Sequence, residues 1–395
     1  MLELHEEQLD RITEVFYRIL AGEKPQPVLL PPDAPEDEYS QVVSYLNRFI
    51  EEHNQFAEFM YSLSRGELHY TPPKGRMRAL QSFKSLQASL KHLTWKTQRI
   101  AGGDFSQKVD FMGDFSDAFN LMTQQLEKAF ADLEQANQEL ADKNKHITDS
   151  IRYAQRIQQA ILPTPAAIRE ALDNDFFVIF YPLSIVSGDF YWLTRVQDDI
   201  LLAAVDCTGH GVSGAFLTMI GHTLLNKIVK EDQIIDPAQI LLNLSIGVRN
   251  ALQQETGETR DGMDVCLCRI HADRQQVTFA GARRPLYSVS QQQIQEIKGD
   301  RLSIGGKPPK KRQEKFTNHD ISLLPGDTLY LSSDGFADQP NPAGKTFGSK
   351  QLKTLLNKVS GYSLTEQEAR ILAELHAHQK DKPQRDDITL LGVRL

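Results

Sequence analysis

The sequence predicts an α+β protein, a sandwich of β-sheets flanked by helices, preceded by an all-α region. Three observations carry this expectation. Through residue 162 the chain has helical periodicity interrupted by polar and Pro-rich breaks. Beyond that point short apolar runs recur at regular intervals, bounded by Gly, Pro and Asp. Helical stretches are grouped between those runs, the pattern of sheets covered by helices.

A chain of 395 residues has room for two or three domains. Hydrophobic residues make up 40% and charged residues 24%, ordinary for a soluble globular protein. The net charge of -8 argues against a general nucleic-acid binder, which needs a basic face. It suits a protein that gathers carboxylates around cations. Three cysteines make no disulfide framework. Cys266 and Cys268 share one face of a strand and read as small buried apolar residues rather than metal ligands. No stretch approaches the ~18 consecutive apolar residues of a membrane span. The first twenty residues lack a basic region followed by an apolar core. A cytoplasmic, reduced protein is the expectation.

Residues 1–95 form a helical input region. "HEEQLDRITEVFYRIL" and "YSQVVSYLNRFIEEHNQFAEFMYSL" have amphipathic spacing, separated by the acidic break "PQPVLLPPDAPEDE". "ALQSFKSLQASLKHLTWKTQRIA" resumes a helix, and nothing here has catalytic spacing. In residues 96–125, Gly102 and Gly103 break that helix, "FSQKVDF" alternates like an extended connector, and a new helix starts near Asp114 to Ser116. Helix, connector and helix resemble a HAMP-like signalling module.

Residues 126–162 carry a heptad repeat of about five units. Leu126, Leu133, Leu140, Ile147, Ala154 and Ile161 fall at d; Phe130, Asn137, Asn144, Ile151 and Gln158 fall at a. Asn at a costs stability but fixes register and favours a parallel two-stranded coil. A parallel homodimeric linker is therefore expected, with a single helix packed on its own domain as the alternative. Pro163 and Pro165 end the helix. His146 reads as an exposed helix residue, since no kinase ATP-binding pattern follows.

In residues 163–395 the runs "FFVIFYPL", "DFYWLTRV", "ILLAAVDC", "DVCLCRI", "QVTFAGA", "LYSVS", "DTLYLSSDG" and "DITLLGVRL" read as strands. "VSGAFLTMIGHTLLNKIV" is a helix. A second begins with Asp236 as cap and Pro237 in its first turn, and a third opens on a Ser363–Glu366 capping box.

Aspartates stand where these strands run out: Asp189 after "IVSG", Asp206 after "LLAAV", Asp334 after "LYLSS", and the pair Asp386–Asp387 before "ITLLGV". One such Asp is ordinarily a turn former. Several of the same form, beside Gly or another Asp, point to convergence. Converging carboxylates repel unless cations neutralise them, and an all-oxygen donor set selects Mg²⁺ or Mn²⁺. Ser213 is not a hydrolase elbow, because "GVSGA" lacks the last Gly of Gly-x-Ser-x-Gly; it starts or packs a helix.

In order and spacing, "VSGDFYW", "VDCTGHGVSGAF", "LPGDTLYLSSDGFAD" and "RDDITLLGV" resemble the SpoIIE-type branch of the metal-dependent (PPM) protein phosphatases, across residues ~160–395. The resemblance implies a pair of antiparallel sheets between helices, with two divalent cations, Mn²⁺ or Mg²⁺, at one edge. Asp206 would bridge both cations, with the Cys207 carbonyl as a further ligand. Asp334 and Asp386 would hold one, and Asp189 the other, directly or through water. Asp387, in the place where related eukaryotic enzymes often carry Asn, would be a further metal ligand. The implied activity is hydrolysis of phosphoserine or phosphothreonine on a partner protein, of STAS type, by a water activated between the cations. The alternative is a catalytically silent regulatory binding module.

Two positions stay open. His210 either protonates the leaving group or orders its turn. Arg283 and Arg284 of "FAGARRPLYSV", where the family often has "AGH-x-P-P", either bind substrate phosphate or an acidic partner, or form an exposed positive pair. The basic stretch 305–315 reads as a surface loop.

Overall fold

The computed structural model describes residues 6–32, 34–173, 175–306 and 314–395. Most of the basic stretch 305–315, residues 307–313, lies outside the described residues. The chain divides into two compact units, Met1–Ala141 and Asp142–Leu395.

In the first unit, α1 (Glu6–Leu20), α2 (Glu38–Ser64) and α3 (Arg78–Ala101) precede α4 (Asp114–Ile161), whose 48 residues run on into the second unit. The acidic break ends at Asp37, which caps α2 by accepting the Ser40 amide at 2.9 Å. Val15 of α1, Val28 of the break and Val43, Leu46 and Ile50 of α2 form one small core. The connector after α3 uses its alternation: Phe105, Val109 and Phe111 pack with Leu93, Ile100 and Phe119. Asn120 pins it, accepting the Val109 amide at 2.9 Å and donating to the Val109 carbonyl at 2.7 Å.

Along α4 the heptad residues Leu126, Phe130, Leu133, Leu140 and Ile147 are 38% to 58% exposed. Gln158, placed at a by the repeat, departs from this pattern. It is buried in the second unit, so the last turn of α4 serves that unit's own packing rather than a coil seam.

The second unit continues with α5 (Pro165–Leu172), β1 (Phe176–Tyr181), β2 (Asp189–Val196), β3 (Asp199–Cys207), α6 (Gly211–Asn226) and α7 (Pro237–Ala251). Strands β4 (Gly262–Ile270), β5 (Gln276–Ala282), β6 (Leu286–Ser290), β7 (Gln293–Ile297), β8 (Ile304–Gly305), β9 (His319–Ser322) and β10 (Thr328–Ser332) follow. The chain closes with α8 (Gly335–Asp338), α9 (Ser349–Val359), α10 (Leu364–Gln379) and β11 (Ile388–Arg394). The expected caps form: Asp236 accepts the Gln239 amide, and Ser363 with Glu366 makes a full capping box.

The strands build two antiparallel sheets, β1-β11-β10-β6-β7 and β2-β3-β4-β5-β9, with β8 beside β4. Alternation explains why β3 is apolar along its length. Leu202 and Ala204 face the inter-sheet core with Cys266, Cys268, Phe279, Leu331 and Leu391. Leu201, Ala203 and Val205 face the other way, onto Leu217 of α6 and Leu241 and Leu244 of α7. On the opposite outer face Tyr330 and Leu390 meet Leu352, Leu356 and Ile371 of α9 and α10. Gly211–Glu231, α6 and its continuation, is long and apolar enough to cross a membrane by length and composition alone. Here those apolar residues include Leu217, Leu225, Ile228 and Val229, packed in the core.

Candidate active site

One row of the second sheet defines the site. Across β2, β3 and β4, Asp189 pairs with Asp206 and Asp206 with Asp264, three carboxylates abreast. Like charges directly opposite destabilise a sheet, so local packing alone does not account for the row. The other sheet adds Asp334, at the end of β10 and the start of α8, and Asp386–Asp387, just before β11.

Backbone approach brings the segments together. Cβ atoms built at Gly188 and at Gly214 of α6 would lie 2.3 Å and 2.4 Å from the Gly209 carbonyl oxygen. The glycines of "VSGDF" and "GHGVSGA" thus let the start of β2, the turn after Asp206 and α6 touch through main chain. Asp387 fastens the same place, accepting the Leu183 and Gly188 amides at 2.7 Å each. Both its oxygens already serve the fold. From α4, Gln158 donates to the Ser187 carbonyl at 2.7 Å and to the Thr218 hydroxyl at 3.0 Å, and accepts the Ser187 amide at 3.0 Å.

The electrostatics match the crowding. Burial pushes Asp206 up to about 8, with Arg284 opposing and Asp334, Asp264 and Asp386 adding. Burial, then the charge of Asp206, holds Asp189 well above the usual carboxylate range. Asp189 Oδ2 is buried with no hydrogen-bond partner. Asp386 is raised by burial, while nearby His210 works against that. Burial pushes the Cys207 thiol well up, so only the backbone of Cys207 suits a cation.

Arg284 stands in the middle. Its Nη2 donates to Asp334 Oδ2 at 2.5 Å and Asp264 Oδ2 at 3.2 Å, and pairs with Asp206 Oδ2 at 3.1 Å. Among the described residues no three carboxylates, His or Cys stand as a ready-made metal cluster; the guanidinium occupies their centre. The donor set still fits hard cations: it is all oxygen and includes an orphaned buried oxygen.

The remaining candidates separate. His210 is exposed at the N-terminus of α6, and the Ser213 hydroxyl on the first turn donates to its carbonyl at 3.3 Å. Arg283 is 62% exposed in its side chain and only skirts the cluster, 3.9 Å from Asp264. Asp264 was not among the residues singled out from sequence. Its signal is a lone carboxylate inside "MDVCLCRI".

Two antiparallel sheets between helices, with carboxylates at one edge, are the architecture of the metal-dependent protein phosphatases. The SiaA-PP2C domain of Pseudomonas aeruginosa has this fold: 37% identity, TM-score 0.59, covering 65% of this chain and 99% of that one. Residues 197–395 match the family described as Stage II sporulation protein E (SpoIIE), and the chain belongs to it. Phosphoserine phosphatase RsbU of Bacillus subtilis is 24% identical over 207 residues, covering 52% of this chain and 58% of RsbU. Protein IcfG of Synechocystis is 24% identical over 333 residues, covering 76% of this chain and 50% of IcfG. The chain thus spans about half the length of these two curated relatives.

Proposed function

We propose that residues 163–395 form a metal-dependent phosphatase acting on phosphoserine or phosphothreonine of a partner protein. The observation that carries this reading is the meeting of Asp189, Asp206 and Asp264 from one sheet with Asp334 and Asp386 from the other. Asp206 would hold both of two divalent cations, Mn²⁺ or Mg²⁺, with the Cys207 carbonyl beside it. Asp334 and Asp386 would complete one side and Asp189 the other. When bound, such a pair lowers the pKa of a water and offsets charge on phosphoryl oxygens. Asp387 sets the height of the Asp189 loop through Leu183 and Gly188. His210, close to Asp386 and exposed, would give a proton to the departing Ser or Thr oxygen. Arg283, exposed at the rim, is the candidate for gripping substrate phosphate. The test is p-nitrophenyl phosphate turnover by the full chain with Mn²⁺, against Asp334→Asn. Loss of a metal ligand should cost about 100-fold or more. Equal turnover in both proteins rejects the site; no turnover with either cation favours the silent binding module.

In the same reading, the substrate is a phosphorylated STAS-type regulatory protein in the cytoplasm. RsbU, named a phosphoserine phosphatase, supports the chemistry. Within residues 126–162, the part of α4 before the last turn that holds Gln158 acts as a parallel dimeric coil downstream of a HAMP-like connector. The exposed apolar stripe Leu126, Phe130, Leu133, Leu140 and Ile147 supports the coil, since an a/d seam wants a second helix. Light scattering of the full chain reads the dimer, and a monomer across the micromolar range removes it.

A further inference from the structure

We propose that Arg284 is a resident cation: its guanidinium holds together the carboxylates of the metal-free site and competes with the divalent cations for them. This rests on the two-cation reading above. One nitrogen, Nη2, reaches Asp206, Asp264 and Asp334 at 3.1, 3.2 and 2.5 Å. Asp206 and Asp334 are oxygens the cations would need, so Arg284 and a full metal complement exclude each other.

The placement is built into the backbone. Arg283 sits at φ 58, in the left-handed region, so the chain turns sharply after β5. The Arg283 amide donates to the Asp300 carbonyl at 2.8 Å and the Arg284 amide to the Ala282 carbonyl at 2.7 Å. The Arg284 carbonyl oxygen is wedged between two glycines; Cβ atoms at Gly281 and Gly299 would lie 2.3 Å and 2.6 Å from it. This fixed turn sends Arg283 outward and Arg284 inward, with side chains 62% and 15% exposed. Arg284 Nε is buried without a partner, a cost the carboxylate pairings must offset. On losing them to a metal, the guanidinium gains by moving to water.

Competition lowers apparent metal affinity by the fraction of molecules in which Arg284 has withdrawn. Arg284→Gln removes the charge and keeps a hydrogen-bonding side chain. Titration calorimetry of the full chain with Mn²⁺, without substrate, reads the result. The variant should bind Mn²⁺ about 10-fold more tightly, or better. Equal or weaker binding by the variant, with wild type binding normally, overturns the proposal and leaves the phosphatase reading standing. No binding by either protein sinks both. Should the variant not fold, crystals of wild type grown with Mg²⁺ decide. Arg284 Nη2 must then be out of hydrogen-bond reach of Asp206 and Asp334; if it still touches both, the proposal fails.

Discussion

Gly214→Ala sets two effects of opposite sign against each other. Gly214 lies within α6, where replacing Gly by Ala should stabilise by about 1 kcal/mol on helix propensity. The new Cβ would stand 2.4 Å from the Gly209 carbonyl oxygen and 2.6 Å from Gly188 Cα. Ordinary contact begins near 3.4 Å, so α6 or the Asp206 turn must retreat by roughly 1 Å. Both obstacles are main chain and cannot rotate aside. Overpacking of this kind costs about 1–3 kcal/mol, and rigid neighbours place it at the upper end. The net expectation is a loss of about 2 kcal/mol in urea unfolding with EDTA present. The same retreat parts Gly209, which follows Asp206, from Gly188, which precedes Asp189, so Mn²⁺ affinity should fall too. A variant as stable as wild type, or more so, would show that propensity decides and that the main-chain contact is not made.

Two further outcomes follow from buried polar groups. Gln158→Ala strands the amide and carbonyl of Ser187, which is fully buried; at about 1–3 kcal/mol for each, a loss of roughly 2–6 kcal/mol should appear as a lower thermal midpoint, and an unchanged midpoint denies the clamp. In EDTA, thermal stability should fall as pH rises. Asp206 is raised from an ordinary 3.8 to about 8, so its contribution is complete below the ordinary value and is lost as pH climbs through about 8. Mn²⁺ should reverse the decline, whereas a midpoint that rises between roughly pH 5 and 8 contradicts the buried carboxylate.

Most of the sandwich was legible because its central strands are apolar on both faces. The strands that escaped are edge or fragmentary ones: β7 (QIQEI) and β9 (HDIS) are mostly polar, and β8 spans two residues. Pro165 was read as part of a stop, yet it also opens α5, where Thr164 caps and the missing Pro amide costs nothing. Asp189, Asp334 and Asp386 announced themselves beside Gly or another Asp, and Asp206 by ending an apolar run before a Gly-rich turn. Asp264 did not, because only strand register sets it opposite Asp206. The inward turn of Arg284 hangs on the left-handed Arg283, which no local pattern in "GARRPL" declares.

The row Asp189–Asp206–Asp264 breaks the rule that like charges avoid direct cross-strand pairing. Sequences keep such violations where function needs them and compensate nearby. Protonation is one compensation, visible in the raised Asp206 and Asp189, but it weakens as pH rises. On the proposed two-cation reading, a carboxylate cage that must stay folded before cations arrive therefore needs a positive charge of its own. An ammonium can shed its proton when buried; a guanidinium does not. Burial pulls the pKa of Arg284 down, but Asp206, Asp334 and Asp264 outweigh it and raise the pKa. The charge is thus most firmly kept where the carboxylates most require it. A lysine there would be a weaker guard, liable to neutralise at the pH where Asp206 ionises.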